Sequence, residues 1–223
     1  MIRKLLLKYR VWKYAKSQHK KAFINGTLLN AFYKSKTIFI HIPKTAGVSL
    51  AKAIYGDVTL EGHRSFYFNM IALNIENQKY FTFTFVRNPF DRLYSAYKFL
   101  KKGGMNNLDK LVFHTHLSEF KDFEDFILNG LNKKIIYEIT HLIPQYDYIC
   151  DKNGRVLVDF VGRFEDLDND IILLSKILKK NIKLSHHNYN KKLDYKEAYT
   201  DKMIDKVHQI YRKDFDIFKY TFK

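Results

Sequence analysis

Cysteine is nearly absent from this chain. Its 223 residues include one, Cys150, so no disulfide can close within it, a usage that fits a reducing compartment. Three prolines and nine glycines are too few for long flexible linkers. The sequence shows no internal repeat and no low-complexity block. No apolar run approaches the roughly 20 residues that cross a bilayer. The N-terminal stretch starts with basic residues, but its apolar patch runs only from Leu5 to Leu7, too short for a secretory signal core. Acidic residues are missing from the first 56 positions, the first being Asp57. Twelve of the 39 Lys and Arg residues lie in that stretch, so most of the formal charge of +16 is N-terminal.

That excess predicts attraction to anions: a nucleotide phosphate, anionic lipid, nucleic acid or an acidic glycan. A basic helix kept soluble by its charge is the plainer reading for residues 1–21. With 46% hydrophobic and 28% charged residues, the composition is that of a globular protein. The length suits one well-buried domain. Residues 1–36 read as a basic helical extension and residues 37–223 as the domain proper.

Residues 2–16 carry Leu5, Leu6, Val11, Trp12 and Tyr14 on a basic background, which predicts an amphipathic helix. Strands are predicted at 37–42, 80–86 and 156–162, from runs rich in β-branched and aromatic residues. Helices are predicted at 48–55, 90–101, 166–180 and after Thr200, from apolar residues at helical spacing. Strands alternating with helices predict an α/β fold with a mainly parallel sheet, whose ligands sit beyond the carboxyl ends of the strands. Most of the 19 Phe and 16 Tyr fall on strand or helix faces and read as core.

Two strand-to-helix turns hold the chemistry. The first, "HIPKTAGVS" from His41 to Ser49, gathers Lys44, Thr45, Gly47 and Ser49 where a helix start leaves backbone N–H groups and a partial positive charge. Gly47 would allow close backbone approach and unusual dihedral angles. A Walker loop places Gly-Lys-Ser/Thr together at its end; here the lysine comes first. The alternative is a plain connection with a surface lysine. The second turn, "FVRNPFDRLYSAY" from Phe85 to Tyr97, sets Arg87 at a strand end, Asn88 as a helix cap and Pro89 at the first helical position. A guanidinium there suits phosphate oxygens, or it pairs with Asp91.

In that order, with "HLIPQYDYI", "VDFVGRFEDL" and "IYRKDFDIFKY" following, the two turns resemble the signatures of sulfotransferases that use PAPS, 3′-phosphoadenosine 5′-phosphosulfate. The likeness is closest to the carbohydrate-type branch, sulfotransferase family 2, and covers roughly residues 37–220. It implies a single α/β domain like the P-loop nucleotide kinases and a metal-free transfer of a sulfuryl group from PAPS, releasing PAP. The acceptor implied is a hydroxyl of a carbohydrate or glycoconjugate. Lys44, Thr45, Ala46, Gly47, Val48 and Ser49 would cradle the 5′-phosphosulfate; Val48 departs from the small polar residue frequent in the family. Arg87 and Ser95 would take the 3′-phosphate.

Lys44 would meet charge building on the leaving oxygen. His63, in "LEGHRSFYF", suits a general base by its ordinary pKa, with Glu61 as the alternative and a surface histidine as the bland reading. Arg163 would reach the nucleotide or pair with Glu165. Lys191 would close over the 3′-phosphate or lie in a solvated loop. His41 reads as packing or hydrogen-bonding at its strand end. His114 and His116 have no cluster around them that suggests a metal. His141 and Gln145 fit a family motif with no assigned role.

The expectation is a cytoplasmic enzyme with a saccharide or glycolipid acceptor and no nucleic-acid partner. Residues 1–21 would rest on the inner membrane surface. Two alternatives stand beside it: a nucleotide-dependent kinase, and a non-enzymatic binder of polyanions or membrane.

Overall fold

A computed structural model describes residues 2–75, 79–184 and 195–222, with backbone alone for residues 2–8. The chain is α/β, with a three-stranded parallel sheet in the order β1-β2-β3 flanked by helices. Strand β1 is Thr37–Ile40, β2 is Phe81–Val86 and β3 is Phe160–Arg163. Strands β1 and β2 run parallel from Thr37 beside Phe81 to Ile40 beside Thr84. Both are buried along nearly their whole length, as a parallel sheet covered on two faces requires. Buried Thr84 satisfies its hydroxyl by donating to the Ile40 carbonyl at 2.7 Å.

The third strand starts later than the sequence pattern predicts. Cys150 and Val156 form an antiparallel bridge first, which takes Val156 out of the parallel sheet. Asp159 then latches onto β2: its Oδ2 accepts from the backbone N–H and the hydroxyl of Thr82, both at 2.8 Å.

Two compact units emerge. The first comprises Met1–Ile42, Ala46–Phe85 and Tyr148–Ser185; the second comprises Pro43–Thr45, Val86–Asp147 and His186–Lys223. In the first unit, helices α1 (Ile2–Ser17) and α2 (Leu28–Ser35) are joined by a 3₁₀ turn, Gln18–Phe23. Ala15 and Ala22 are fully buried, and Tyr14 meets Phe68 of α4 (Phe66–Leu73) with ring centres 5.8 Å apart. Helix α3 (Gly47–Tyr55) lies between α2 and α4 in the chain and starts one residue earlier than its apolar pattern suggests.

In the second unit, α5 spans Pro89–Lys101, with the Asn88 side chain accepting from the Phe90 N–H at 3.1 Å. Pro89 at the first helical position gives up no hydrogen bond there. Helix α6 is Asn107–His116. The helix of the first unit that follows β3, α7, is Leu167–Leu178. Helices α8 (Asp201–Ile210) and α9 (Arg212–Phe218) belong to the second unit. Its core is heavily aromatic, as the sequence predicts: Phe90 meets Tyr199, Phe215 and Phe222 at centroid distances of 5.3, 5.0 and 4.9 Å. Among the described residues no helix is long and apolar enough to cross a membrane.

Candidate active site

In the second unit, Arg87 is held from several sides. Its Nε and Nη2 donate to the two oxygens of Asp91 at 2.8 and 2.7 Å, one turn along α5. The pairing that the sequence left as an alternative is thus formed, and it fixes the plane of the guanidinium. Nη1 donates to the Lys44 carbonyl at 2.9 Å, tying the second turn to the first.

The Arg87 backbone is bracketed too. Its N–H donates to Gln145 Oε1 at 2.9 Å, and its carbonyl accepts from Gln145 Nε2 at 2.8 Å. Fully buried Gln145 is held in turn by Asp214, whose carboxylate accepts from the N–H groups of Gln145 and Tyr146, both at 2.9 Å. Burial is the main cause that raises the Asp214 pKa to about 6, with the nearby Arg92 charge pulling the other way. Buried Arg92 donates to the carbonyls of His141 and Ile143 at 3.1 and 2.9 Å. Gln145 therefore supports Arg87. Sequence reasoning left this role open, and nothing local to Gln145 or Asp214 marks it.

Lys44 is cation-rich company for Arg87. Its Nζ stands 3.9 Å from the centre of the Phe99 ring. Burial first, and then the Arg87 charge, lower its pKa to about 8, while Asp109 acts in the opposite sense. An anion bound here would restore the ammonium form. Ser95 lies half-buried on α5, about two turns beyond its cap.

The loop's backbone departs from expectation. Lys44 and Ala46 adopt left-handed angles, with φ of 69° and 63°, and Gly47 does not. Conformational freedom is not why Gly47 is glycine. A Cβ on it would land on the imidazole of His41, so the position must be bare. Gly47, Val48 and Ser49 form the first turn of α3, whose N–H groups have no carbonyl partner within their own helix. Val48 and Ser49 are half-buried and Thr45 is fully buried.

His63 belongs to the first unit. Its Nδ1 lies 3.1 Å from the His41 carbonyl oxygen, and the two rings meet edge-on at 4.3 Å. A carbonyl only accepts, so Nδ1 carries the hydrogen and Nε2 is the basic nitrogen of the neutral ring. Glu61 is placed differently: its two oxygens pair with Lys21 and Arg64, each at 2.8 Å. Arg163 ends β3 with its backbone N–H donating to Asp170 at 2.5 Å. Lys191 lies outside the described residues. His116 stands 3.8 Å from Glu138, and no group of three or more metal-binding side chains gathers among the described residues.

Gly47→Ala is expected to cost about 1–3 kcal/mol of folding stability, as an overpacked site does, because the His41 ring must move. Urea unfolding checks it; an unchanged midpoint removes the steric argument.

A model described as "Sulfotransferase family" matches residues 32–221. A protein of Archaeoglobus fulgidus named only as an uncharacterized protein is 32% identical over 101 residues, 45% of this chain and 67% of that one. No solved structure matches. The family match spans both strand-to-helix turns and the segments that brace Arg87, and the chain belongs to the sulfotransferase family.

Proposed function

We propose that this transferase moves a sulfuryl group from PAPS to a hydroxyl of a saccharide or glycolipid. The observation that supports the reading best is the bond from Arg87 to the Lys44 carbonyl. It joins a lysine suited to a 5′-phosphosulfate and an arginine suited to a 3′-phosphate within one unit. PAPS supplies an activated sulfuryl group, with a nucleotide phosphate as leaving group.

Lys44, Thr45 and the first-turn N–H groups of Gly47, Val48 and Ser49 hold the phosphosulfate end, with Ala46 shaping the turn. Arg87 and Ser95 bind the 3′-phosphate, and Arg163 and Lys191 add charge towards the nucleotide. His63 Nε2 takes the proton of the acceptor hydroxyl as its oxygen bonds to sulfur. The bond from sulfur to the phosphate oxygen breaks, and Lys44 meets the charge left on that oxygen. Glu61 is the weaker base candidate, because both of its oxygens already face cations. Side chains position and neutralise in this scheme, so no metal is called for.

We place the enzyme in the cytoplasm, with helix α1 as a peripheral contact to an anionic membrane. Exposed Tyr9 and Trp12 stack on one another at 6.1 Å beside exposed Lys13 and Lys16, an aromatic and basic combination suited to headgroups.

PAP should raise the melting temperature without Mg²⁺, and by more than ATP with Mg²⁺ does; the reverse order would indicate a kinase. The PAP shift should shrink as pH rises through about 8, to which burial first and then Arg87 lower the Lys44 pKa. Arg87→Ala should weaken PAP far more than adenosine 5′-phosphosulfate, and equal losses would remove its role at the 3′-phosphate.

His63→Ala should lower turnover by about 10²–10⁴-fold, the usual worth of a general base, with PAP affinity near wild type. Turnover retained in that variant would move the base elsewhere. Trp12, the single tryptophan, should shift its emission to the blue on vesicles containing phosphatidylglycerol; an unshifted spectrum argues against the α1 contact.

A further inference from the structure

Among the described residues, the three large apolar side chains most open to solvent lie in one short stretch. Met105 is 74% exposed, Leu108 72% and Leu111 60%. Leu108 and Leu111 are three apart on α6, so they share a face, and Met105 sits just ahead of the helix. Side chains of this size left so open mark an interaction surface more often than isolated ones do.

The stretch is held in place. Gly103 and Gly104 turn the chain with φ of 90° and 64°. The Met105 N–H donates to Asp109 Oδ2 at 2.8 Å, and the Asn106 side chain caps α6 through the Asp109 N–H at 3.0 Å. Met105 is thus exposed by a fixed turn.

Charge identifies the partner. Lys101, Lys102 and Lys110 belong to the same stretch of chain and are all exposed. Asp109, the one acid between residues 98 and 111, is buried. Exposed apolar side chains flanked by lysines, in a stretch that carries no exposed acid of its own, match an anionic lipid surface, where apolar side chains enter and ammonium groups meet headgroups.

The same stretch adjoins the site. Lys44 Nζ rests on the Phe99 ring, the Gly104 N–H donates to the Phe99 carbonyl at 3.0 Å, and the Asp109 charge acts on Lys44. Within the second unit, a surface docked here lies beside the reacting lysine.

We propose that the face formed by Met105, Leu108 and Leu111 with Lys101, Lys102 and Lys110 docks on an anionic bilayer that carries the acceptor, so that the enzyme works on a lipid-borne saccharide. This rests on the sulfuryl-transfer reading for the identity of the reaction, and on the surface itself for the docking.

The test uses the full chain and a Leu108→Asp/Leu111→Asp variant. Both positions are exposed, so the variant should keep the wild-type melting temperature and PAP shift. In flotation, wild-type protein should partition onto phosphatidylcholine vesicles containing phosphatidylglycerol and less onto phosphatidylcholine alone. The variant should bind the anionic vesicles about tenfold less, the loss expected when apolar side chains no longer enter the lipid. Sulfuryl transfer to a vesicle-anchored saccharide should fall by a similar factor, with transfer to the same headgroup free in solution unchanged. Wild-type partitioning by the variant overturns the proposal. So does a wild-type dimer in light scattering that the variant abolishes, which would assign the face to a second copy of the chain. If PAP gives no shift while flotation behaves as described, the transfer reading fails and the docking surface stands.

Discussion

The second unit depends on holding two cations close together. Lys44 and Arg87 repel one another, and burial of Lys44 sharpens the repulsion by removing water. Asp91 and Asp109 offset part of this charge. They do not abolish it, since the Lys44 ammonium remains easier to deprotonate than a free lysine. A multiply charged anion placed beside both cations would relieve that repulsion. The repulsion also demands a stiff frame, because a mobile arginine would swing away.

The frame is built from groups that are themselves costly to bury. Arg92 and Asp214 are 1% and 0% exposed, and taking two charges out of water is often not repaid by their attraction. Here each charge is spent on backbone. Arg92 satisfies two carbonyls of the 141–143 segment. Asp214 satisfies two N–H groups of the next residues, and Tyr211 adds a bond from its hydroxyl to the Leu142 carbonyl at 2.7 Å. An irregular segment buried in an aromatic core would otherwise leave its polar backbone unpaired. Its product is a rigid Gln145, whose amide reads both the N–H and the carbonyl of Arg87. Three segments distant in sequence, "RNPFDR", "HLIPQYDYI" and "RKDFDIF", are thereby one structural device.

Much of this was legible beforehand. Local patterns marked β1, β2, α3, α5 and the helix after Thr200, because each carries its signal within a few residues: alternation, a cap, or a proline at the first helical turn. The start of β3 was not legible, because it depends on a bridge between Cys150 and Val156 that competes with the sheet. The burial of Ala15 and Ala22 was hidden by the charge around them. Helix α1 buries Ala15, a side chain too small to dominate any hydropathy pattern. At the site, residue types named Lys44 and Arg87. Spacing could not show that Gln145 serves Arg87, since the contact joins positions 58 apart in the chain.

The loop also shows why its order differs from a Walker loop. Left-handed backbone at a non-glycine residue costs about 1–3 kcal/mol and persists only where the surroundings over-determine it. Here Lys44 and Ala46 both adopt it, and the one glycine is reserved for a different task, clearance under the His41 ring. That ring is itself 9% exposed and stacks on Phe39 at 5.8 Å, so it cannot easily retreat. The same residue lends its carbonyl to His63. His41, which read in sequence as packing or hydrogen-bonding at its strand end, therefore fixes two things in the first unit. It dictates a bare position at the start of α3, and it selects the tautomer that leaves Nε2 of His63 as the basic nitrogen. A substitution at His41 keeps that main-chain carbonyl but removes the ring that lies over Gly47 and meets His63 edge-on at 4.3 Å, so it would disturb the loop and His63 together.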